Sequence, residues 1–372
     1  MSPNRLLLLT YDFPPSTGGI SRLCYEIVKG SHHKYSEITV LAPNVKHVVD
    51  TYDDLKCNIV RLPKQRILRE LFVIMYLLKI RHKRYYNVLC GVWHPEALLA
   101  IISGFKNIFI LGHGTEFLSG KSKFRANFWL PIYCKWVLGR VKKIITNSSY
   151  TLGLVNSINS IALAESLPLA VNEDYFKPIK NKKMCSKIKI STVSRVCKFK
   201  GHDFILNTLE KLPESIRKNI EWHVAGTGPY LDELKLLVEN SNIDKQIFIH
   251  GFVPDDKLSK FYNNSDVFIL ATREAQKSKQ VEGFGLVFLE AQACGVPVVG
   301  TRTGGIPCAI RHNNGGWLIN QDDEEALVKL LTSFVNDKFI LKEQGDKARD
   351  RVLKEATYKL YCKNLYNKMD IK

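Results

Sequence analysis

The 372-residue chain has no apolar run approaching the ~20 residues that cross a bilayer as a helix. Its longest, Leu71–Leu78, is closed off by Arg69, Glu70 and Lys79, so no spanning segment is expected. Leu6–Leu9 is too brief for the core of a secretory signal and runs straight into Tyr11-Asp12-Phe13-Pro14-Pro15. The nine cysteines form neither a C-x-x-C nor a Cys/His cluster at zinc spacing. That scatter fits a reducing compartment, with cysteine used as a small core residue. No D-x-D occurs, so neither a catalytic metal nor a cofactor is expected. The absence of G-x-G-x-x-G removes the dinucleotide fingerprint. Acidic residues are scarce: 36 against 54 basic ones, a net charge of +18. This favours an anionic partner, whether nucleic acid, membrane surface or phosphorylated substrate.

What is present suffices for two domains with full cores. Short apolar runs at Arg5–Thr10, Ile38–Leu41, Ile59–Leu62, Val88–Gly91, Ile108–Leu111 and Lys143–Asn147 read as buried strands, with helical patterns between them. Ile190–Val193, Trp222–Ala225, Ile247–Gly251, Val267–Leu270 and Val296–Val299 repeat the alternation. Strands alternating with helices build parallel sheets. The fold class is therefore α/β, with two Rossmann-like domains. The expected boundaries are 1–172, a lysine-rich linker at 173–187, a second domain at 188–345, and a C-terminal helix at 346–372. The whole of Lys338–Lys372 reads as helix.

The densest chemistry lies in Val281–Gly305. Glu282 and Glu290 stand eight positions apart around Gly283-Phe284-Gly285 and the apolar Leu286-Val287-Phe288-Leu289. The glycines read as the mouth of a helix whose unpaired N–H groups favour an anion such as phosphate. Eight helical positions would span about 12 Å, enough for two carboxylates to grip hydroxyls at both ends of an elongated ligand such as a nucleotide sugar. Other candidates follow strands: Gly18-Gly19 after the first, His113 after Ile108–Leu111, Arg195 and Lys200 after Ile190–Val193, and Gly226-Thr227-Gly228 after Trp222–Ala225. The carboxyl ends of parallel strands are where such sheets hold ligands.

Two stretches carry the basic excess. Arg61–Tyr86 has eight Lys/Arg and one acid, and Lys121–Lys143 has seven Lys/Arg and none. Arg66, Arg69, Lys121, Lys123, Arg125 and the aromatic Trp129 are the candidates there for membrane or acceptor contact. Basic residues interleaved with aromatics at helical spacing suit an anionic membrane surface. The same composition also suits single-stranded nucleic acid, but no nucleic-acid fold signature accompanies it.

The run E-G-F-G-L-V-F-L-E-A, followed by C-G-V-P-V-V and T-G-G, resembles the E-x7-E signature of retaining glycosyltransferase family 4. That family has the GT-B fold, two Rossmann-like domains facing across a cleft. Its bacterial mannosyl- and hexosyltransferases build surface polysaccharides and glycolipids. Other stretches match in order: P-x-x-G-G-I at the first loop, H-G-T-E at His113 to Glu116, R-x4-K-G at Arg195 to Gly201, G-x-G-P at Gly226 to Pro229, and Phe252-Val253-Pro254. Leu167–Pro178 departs from the family's interdomain segment, with Leu169-Ala170 where Asn-Gly is usual.

The resemblance implies that Arg195 and Lys200 clamp the donor's diphosphate, that Glu282 grips sugar hydroxyls and that Glu290 grips the ribose. It also implies that the backbone at Val253 lies against the base. It implies further that Gly18 and Gly19 face the diphosphate and that His113, with Glu116 less directly, stands beside the sugar. The final helix is expected to cross back to the first domain. The implied function is metal-independent transfer of a hexose, with retention, from a nucleoside diphosphate sugar to a lipid-linked saccharide. GDP-mannose is the first choice of donor. UDP-sugars, a phosphatidylinositol-type acceptor and a soluble acceptor remain open. The polar stretch Thr272–Gln280 is where donor choice is expected to lie. The protein is expected on the cytoplasmic face of the membrane, with no nucleic-acid partner. The alternative from another class is a non-catalytic basic module that binds membrane or nucleic acid.

Overall fold

The computed structural model describes residues 4–16, 18–44, 55–80, 82–179, 186–274 and 280–370. They form two compact units, one comprising Met1–Pro168 with Tyr358–Lys372, the other Leu169–Thr357.

Unit 1 is built on seven strands: β1 (Arg5–Leu9), β2 (Glu37–Pro43), β3 (Asn58–Leu62), β4 (Tyr86–Cys90), β5 (Ile108–Gly112), β6 (Lys143–Thr146) and β7 (Ala164–Ser166). Their order is β3-β2-β1-β4-β5-β6-β7, and every pairing is parallel, with Leu7 opposite Thr39 on one side and Val88 on the other. Leu6 to Leu9 and Ile108 to Ile110 are almost wholly buried. A sheet covered on both faces demands such unbroken apolar runs. The order reverses between β1 and β4. The loops leaving those two strands diverge there and open a crevice at the carboxyl edge.

Unit 2 repeats the plan with β8 (Ile188–Val193), β9 (Ile220–Ala225), β10 (Ile247–Gly251), β11 (Val267–Leu270), β12 (Val298–Thr301) and β13 (Gly316–Ile319), ordered β10-β9-β8-β11-β12-β13. Again all pairs are parallel. The reversal falls between β8 and β11, so the loops after those strands occupy the corresponding crevice. One core cluster centres on Trp222, Ile190, Leu234 and Phe334. Another packs Phe288, on the helix Leu286–Ala293, with Phe268 and Tyr262.

Several sequence expectations need adjustment. The short β7 is absent from the sequence reading, because its three half-buried residues carry little apolar signal. Glu173–Ile179 is not a free linker: Phe176 is 1% exposed within a unit 2 core, and Ile179 N donates to Asn263 Oδ1 at 2.9 Å. Residues 180–185 lie outside the described residues. The C-terminal helix is two helices, Phe339–Glu355 and Tyr358–Lys368. Thr357 pairs with Val171 at the break. Only the second helix belongs to unit 1, where Tyr366 Oη lies 2.8 Å from Ser31 Oγ.

Candidate active site

The crevice of unit 2 gathers most of the predicted residues. Arg195 and Lys200 sit on the loop between β8 and the helix His202–Lys211. Gly201 takes φ +75°, and a Cβ there would lie 2.0 Å from the Ala271 carbonyl oxygen, so only glycine lets this loop reach the end of β11. Arg195 is exposed, and its guanidinium has no hydrogen bond or ion pair among the described residues. Lys200 is mostly buried, and its ammonium pairs with the Glu282 carboxylate.

Glu282 lies in the loop before the helix Leu286–Ala293, not inside it. The eight-position spacing to Glu290 is therefore only half helical, and the 12 Å expectation does not apply. The loop is held from behind: Gly305 N donates to Glu282 O at 2.8 Å, and the positive φ of Gly304 brings its Cα against the same carbonyl. Gly285 caps the helix at φ +89°, with the Phe288 ring where a Cβ would stand. Gly283 and Phe284 are buried, while Leu286 and Val287 are half-buried at the helix mouth. The mouth leaves first-turn N–H groups for a ligand. Glu290 is 4% exposed and accepts from Tyr262 Oη at 2.8 Å. Val253 packs on the same core cluster. Gly226 and Gly228 lie against the backbone of Ser194 and Val196, with no room for a Cβ at either position. Their role visible here is to let the two loops touch.

Two residues in this crevice carry no motif. Arg273, just after β11, donates through Nη1 to both oxygens of Asp203 at 2.7 and 2.8 Å and through Nε to Asp322 at 2.6 Å. Its own N–H donates to Phe199 O at 2.6 Å, next to Lys200. Arg273 therefore staples the Lys200 loop to the end of β11. The segment Thr272–Gln280 begins as a tethered one, since Thr272 is fully buried; residues 275–279 lie outside the described residues. His202 is buried, and burial followed by the neighbouring Lys200 charge pushes its pKa down to about 4. Its Nε2 lies 3.3 Å from Ser194 Oγ. A buried neutral imidazole gives no sequence signal beyond its place next to Gly201.

In unit 1, His113 follows β5. Its Nε2 lies 2.8 Å from the Gly91 carbonyl, so Nε2 carries the proton and, in a neutral ring, Nδ1 is the acceptor. Glu116 accepts from His113 N at 2.6 Å, and Asn147 donates to His113 O at 2.9 Å. Glu116 thus shapes the loop. Gly18 and Gly19 lie exposed at the mouth of the helix Gly19–Gly30, with Gly18 at φ +132°.

The basic residues of unit 1 divide into two groups. Lys121 and Lys123 are exposed, and Arg66 is exposed beside Glu70 at 3.0 Å. Arg125 instead donates to the Glu116 and Leu118 carbonyls at 3.0 Å. Trp129 packs against His94 and Tyr133 at ring separations of 4.8 and 4.6 Å, and the Arg69 guanidinium lies 4.1 Å from the Tyr11 ring centre. These three are turned inward. The outward stripes are apolar: Ile67, Leu71, Met75 and Leu78 on one segment, and Phe124, Phe128, Ile132 and Trp136 on the other, each at least 40% exposed.

Glu96, on the turn after β4, went unnoticed in the sequence. It is 1% exposed, and burial pushes its carboxyl up to about 8. Oε1 accepts from Tyr11 N at 3.3 Å.

Residues 175–356 match the family model for glycosyl transferases group 1, nearly the whole of unit 2 as delimited by its contacts. Unit 2 is a glycosyltransferase group 1 domain. The chain is 29% identical over 366 residues to the Mycobacterium tuberculosis GDP-mannose-dependent alpha-(1-6)-phosphatidylinositol monomannoside mannosyltransferase, with 90% of each chain covered. It is 27% identical to the putative colanic acid biosynthesis glycosyltransferase WcaL of Escherichia coli over 45% of this chain and 40% of that one. Among solved structures, Anabaena HepE in complex with UDP superposes with a TM-score of 0.79 at 15% identity, covering 98% of this chain and 99% of that one. The fold is GT-B.

Proposed function

We propose that the enzyme transfers a hexose from a nucleoside diphosphate sugar to a hydroxyl of a lipid-linked saccharide, with retention and without a metal. The observation that carries this reading is the Lys200–Glu282 pair beside the open helix mouth at Leu286, with Arg195 exposed on the same loop. A leaving diphosphate needs preorganised positive charge, and the two cations with the first-turn N–H groups supply it. Glu282 takes the sugar hydroxyls once Lys200 turns to phosphate, Glu290 takes the ribose, and His113 keeps the sugar contact that the resemblance implies. The bond from the anomeric carbon to the phosphate oxygen breaks as the acceptor oxygen attacks from the same face. The leaving phosphate accepts the acceptor's proton, giving glycoside and nucleoside diphosphate.

GDP-mannose is the preferred donor because the mycobacterial relative is named for it. A UDP-sugar is the second reading, favoured by the structural likeness to a UDP-bound protein. Thermal unfolding with GDP-mannose and UDP-glucose separates them: the true donor raises the melting temperature, and Lys200→Ala removes the rise. Turnover that persists in 10 mM EDTA (a concentration on the order used to strip divalent ions) supports metal independence, and its loss contradicts it.

The acceptor reading draws on the two exposed apolar stripes of unit 1 and the lysines beside them. Apolar residues flanked by cations suit the interface of an anionic membrane. Vesicles containing phosphatidylglycerol are expected to sediment the wild type at low salt. The double variant Leu71→Ser/Met75→Ser, altering side chains 53% and 57% exposed, is expected to lose most of that binding while melting unchanged. Equal sedimentation of the two would contradict the membrane reading.

A further inference from the structure

Lys189, His223, His250, Phe261, Asn264 and Ser265 line a half-open cavity of about 290 Å³ in unit 2. Lys189, His223 and His250 come from β8, β9 and β10, Phe261 from the helix Asp255–Asn263, and Asn264 and Ser265 from the link into β11. Lys189 and Ser265 stand at the amino-terminal ends of β8 and β11, whereas Arg195 and Arg273 follow the carboxyl ends of the same two strands. The cavity is therefore not the donor crevice. Ile188 and Ile190 enter the core on one face of β8, which puts Lys189 on the other face. Glu221 lies opposite Lys189 in register, and His223 is two positions on. A parallel sheet covered on both faces calls for apolar residues at such places. Lys187 pairs with the Glu221 carboxylate at 3.2 Å, while the half-buried Lys189 ammonium has no hydrogen bond or ion pair among the described residues. A half-buried cation without a counterion costs free energy that a bound anion would recover. His223 Nδ1 lies 3.0 Å from His250 Nε2, and His223 Nε2 lies 3.7 Å from Glu221 Oε2. With its Nε2–H turned to the carboxylate, His223 accepts at Nδ1 from His250 Nε2–H, and His250 Nδ1 is left as the basic nitrogen of the pair.

We propose that this cavity binds a small oxyanion, either free phosphate or the phosphate group of a small metabolite, between the Lys189 ammonium and the imidazole pair. Lys189 supplies the fixed charge. Asn264, whose side-chain amide has no hydrogen bond among the described residues, supplies N–H donors. Burial lowers the pKa of both histidines; at His223 the His250 and Lys189 charges act in the same direction and Glu221 opposes them. The pair is therefore neutral at neutral pH. An anion beside it favours the charged form, so binding is linked to proton uptake. A metal ion does not fit: Lys189 would repel it, and no group of three His, Cys, Asp or Glu among the described residues could hold one. The Phe261 ring, edge-on to His250 at 5.3 Å, forms an apolar wall that suits the carbon body of a phosphate ester. The site does not rest on the sugar-transfer reading, since none of its residues belongs to the donor crevice.

The full-length chain, isotopically labelled at histidine Cε1, is titrated with sodium sulfate at constant ionic strength and followed by NMR. The His223 and His250 signals, assigned with His223→Gln and His250→Gln, report the cavity separately from any sulfate held by Arg195 and Lys200. Sulfate keeps its charge throughout, so a pH dependence belongs to the protein. Both signals are expected to shift saturably, with binding about threefold tighter at about pH 6 than at about pH 8. Lys189→Met keeps the stem and loses the charge, and is expected to weaken binding about tenfold; Lys189→Arg is expected to stay within about twofold of the wild type. Should Lys189→Met fail to fold, Lys189→Gln decides by the same criterion. Shifts that do not saturate, saturation undiminished in Lys189→Met, or an affinity that falls as pH falls overturns the site. Inorganic phosphate and glycerol 3-phosphate, compared at one pH, separate the two sources. Tighter binding of the ester assigns the site to a phosphorylated metabolite, and tighter binding of phosphate assigns it to the free ion.

Discussion

The two crevices occupy equivalent places in their sheets and handle charge in opposite ways. In unit 2, Lys200 is paired with Glu282, and Arg273 with Asp203 and Asp322. In unit 1, the buried Glu96 carboxyl accepts from the Tyr11 N–H, and the Arg69 guanidinium stacks on the Tyr11 ring. The Lys200–Glu282 pair is mostly buried, so parting it is costly unless another anion takes over the lysine's charge. On the proposed function, such a pair holds a cation ready for a diphosphate without leaving it bare. The difference sets how each unit responds to pH.

The largest expected effect breaks the unit 2 side. Lys200→Ala and Glu282→Ala are each expected to lower donor turnover by about 10²–10³-fold, measured as release of nucleoside diphosphate. Next comes the staple. Arg273→Gln frees the Lys200 loop and is expected to raise the donor KM and cut kcat/KM about tenfold. The effect should not add to that of Asp203→Asn, since the two residues act as one unit.

The pH dependence sharpens the contrast because its sign differs between the units. Glu96 is raised from 4.5 to about 8. Between those values only the unfolded chain ionises there, so unit 1 loses stability as pH rises through that window and levels off above it. Glu96→Gln flattens the dependence. His202 is lowered from 6.5 to about 4. Between those values only the unfolded chain gains the proton, so unit 2 loses stability as pH falls. Amide hydrogen exchange in β1 and β4 against β8 and β9 reads the two trends separately. The smallest effect is at Gly285, where Ala meets both the positive φ and the Phe288 ring. A destabilisation of about 1–3 kcal/mol is expected by denaturant melting.

Unit 2 was the more legible half. Its chemistry resides in glycines with positive φ and in charges at fixed spacing from strands, and both survive in a linear reading. Gly201, Gly285 and Gly304 each occupy a place where a side chain would strike backbone or a ring. The helix mouth at Gly285 was placed correctly. The span from Glu282 to Glu290 was not, because a glycine turn and a helix start look alike in sequence. Arg273 was read as part of a polar loop, since its partners Asp203 and Asp322 are 70 and 49 positions away. In unit 1 the basic and aromatic composition pointed to a surface, but composition does not say which way a side chain turns. Arg69, Arg125 and Trp129 face inward, while Phe124, Phe128 and Leu71 hold the exposed positions. Glu96 was unreadable, because a single glutamate in Trp93-His94-Pro95-Glu96 has the look of a solvated charge.

The most direct test of the central claim is the anomeric proton signal of the first product formed from GDP-mannose or UDP-glucose, followed by NMR for wild type and Glu282→Gln. The account predicts an α-configured first product from the wild type and turnover lowered by about 10²-fold or more in the variant. A β-configured first product, no turnover of either donor by the wild type, or equal turnover by the two proteins would contradict it.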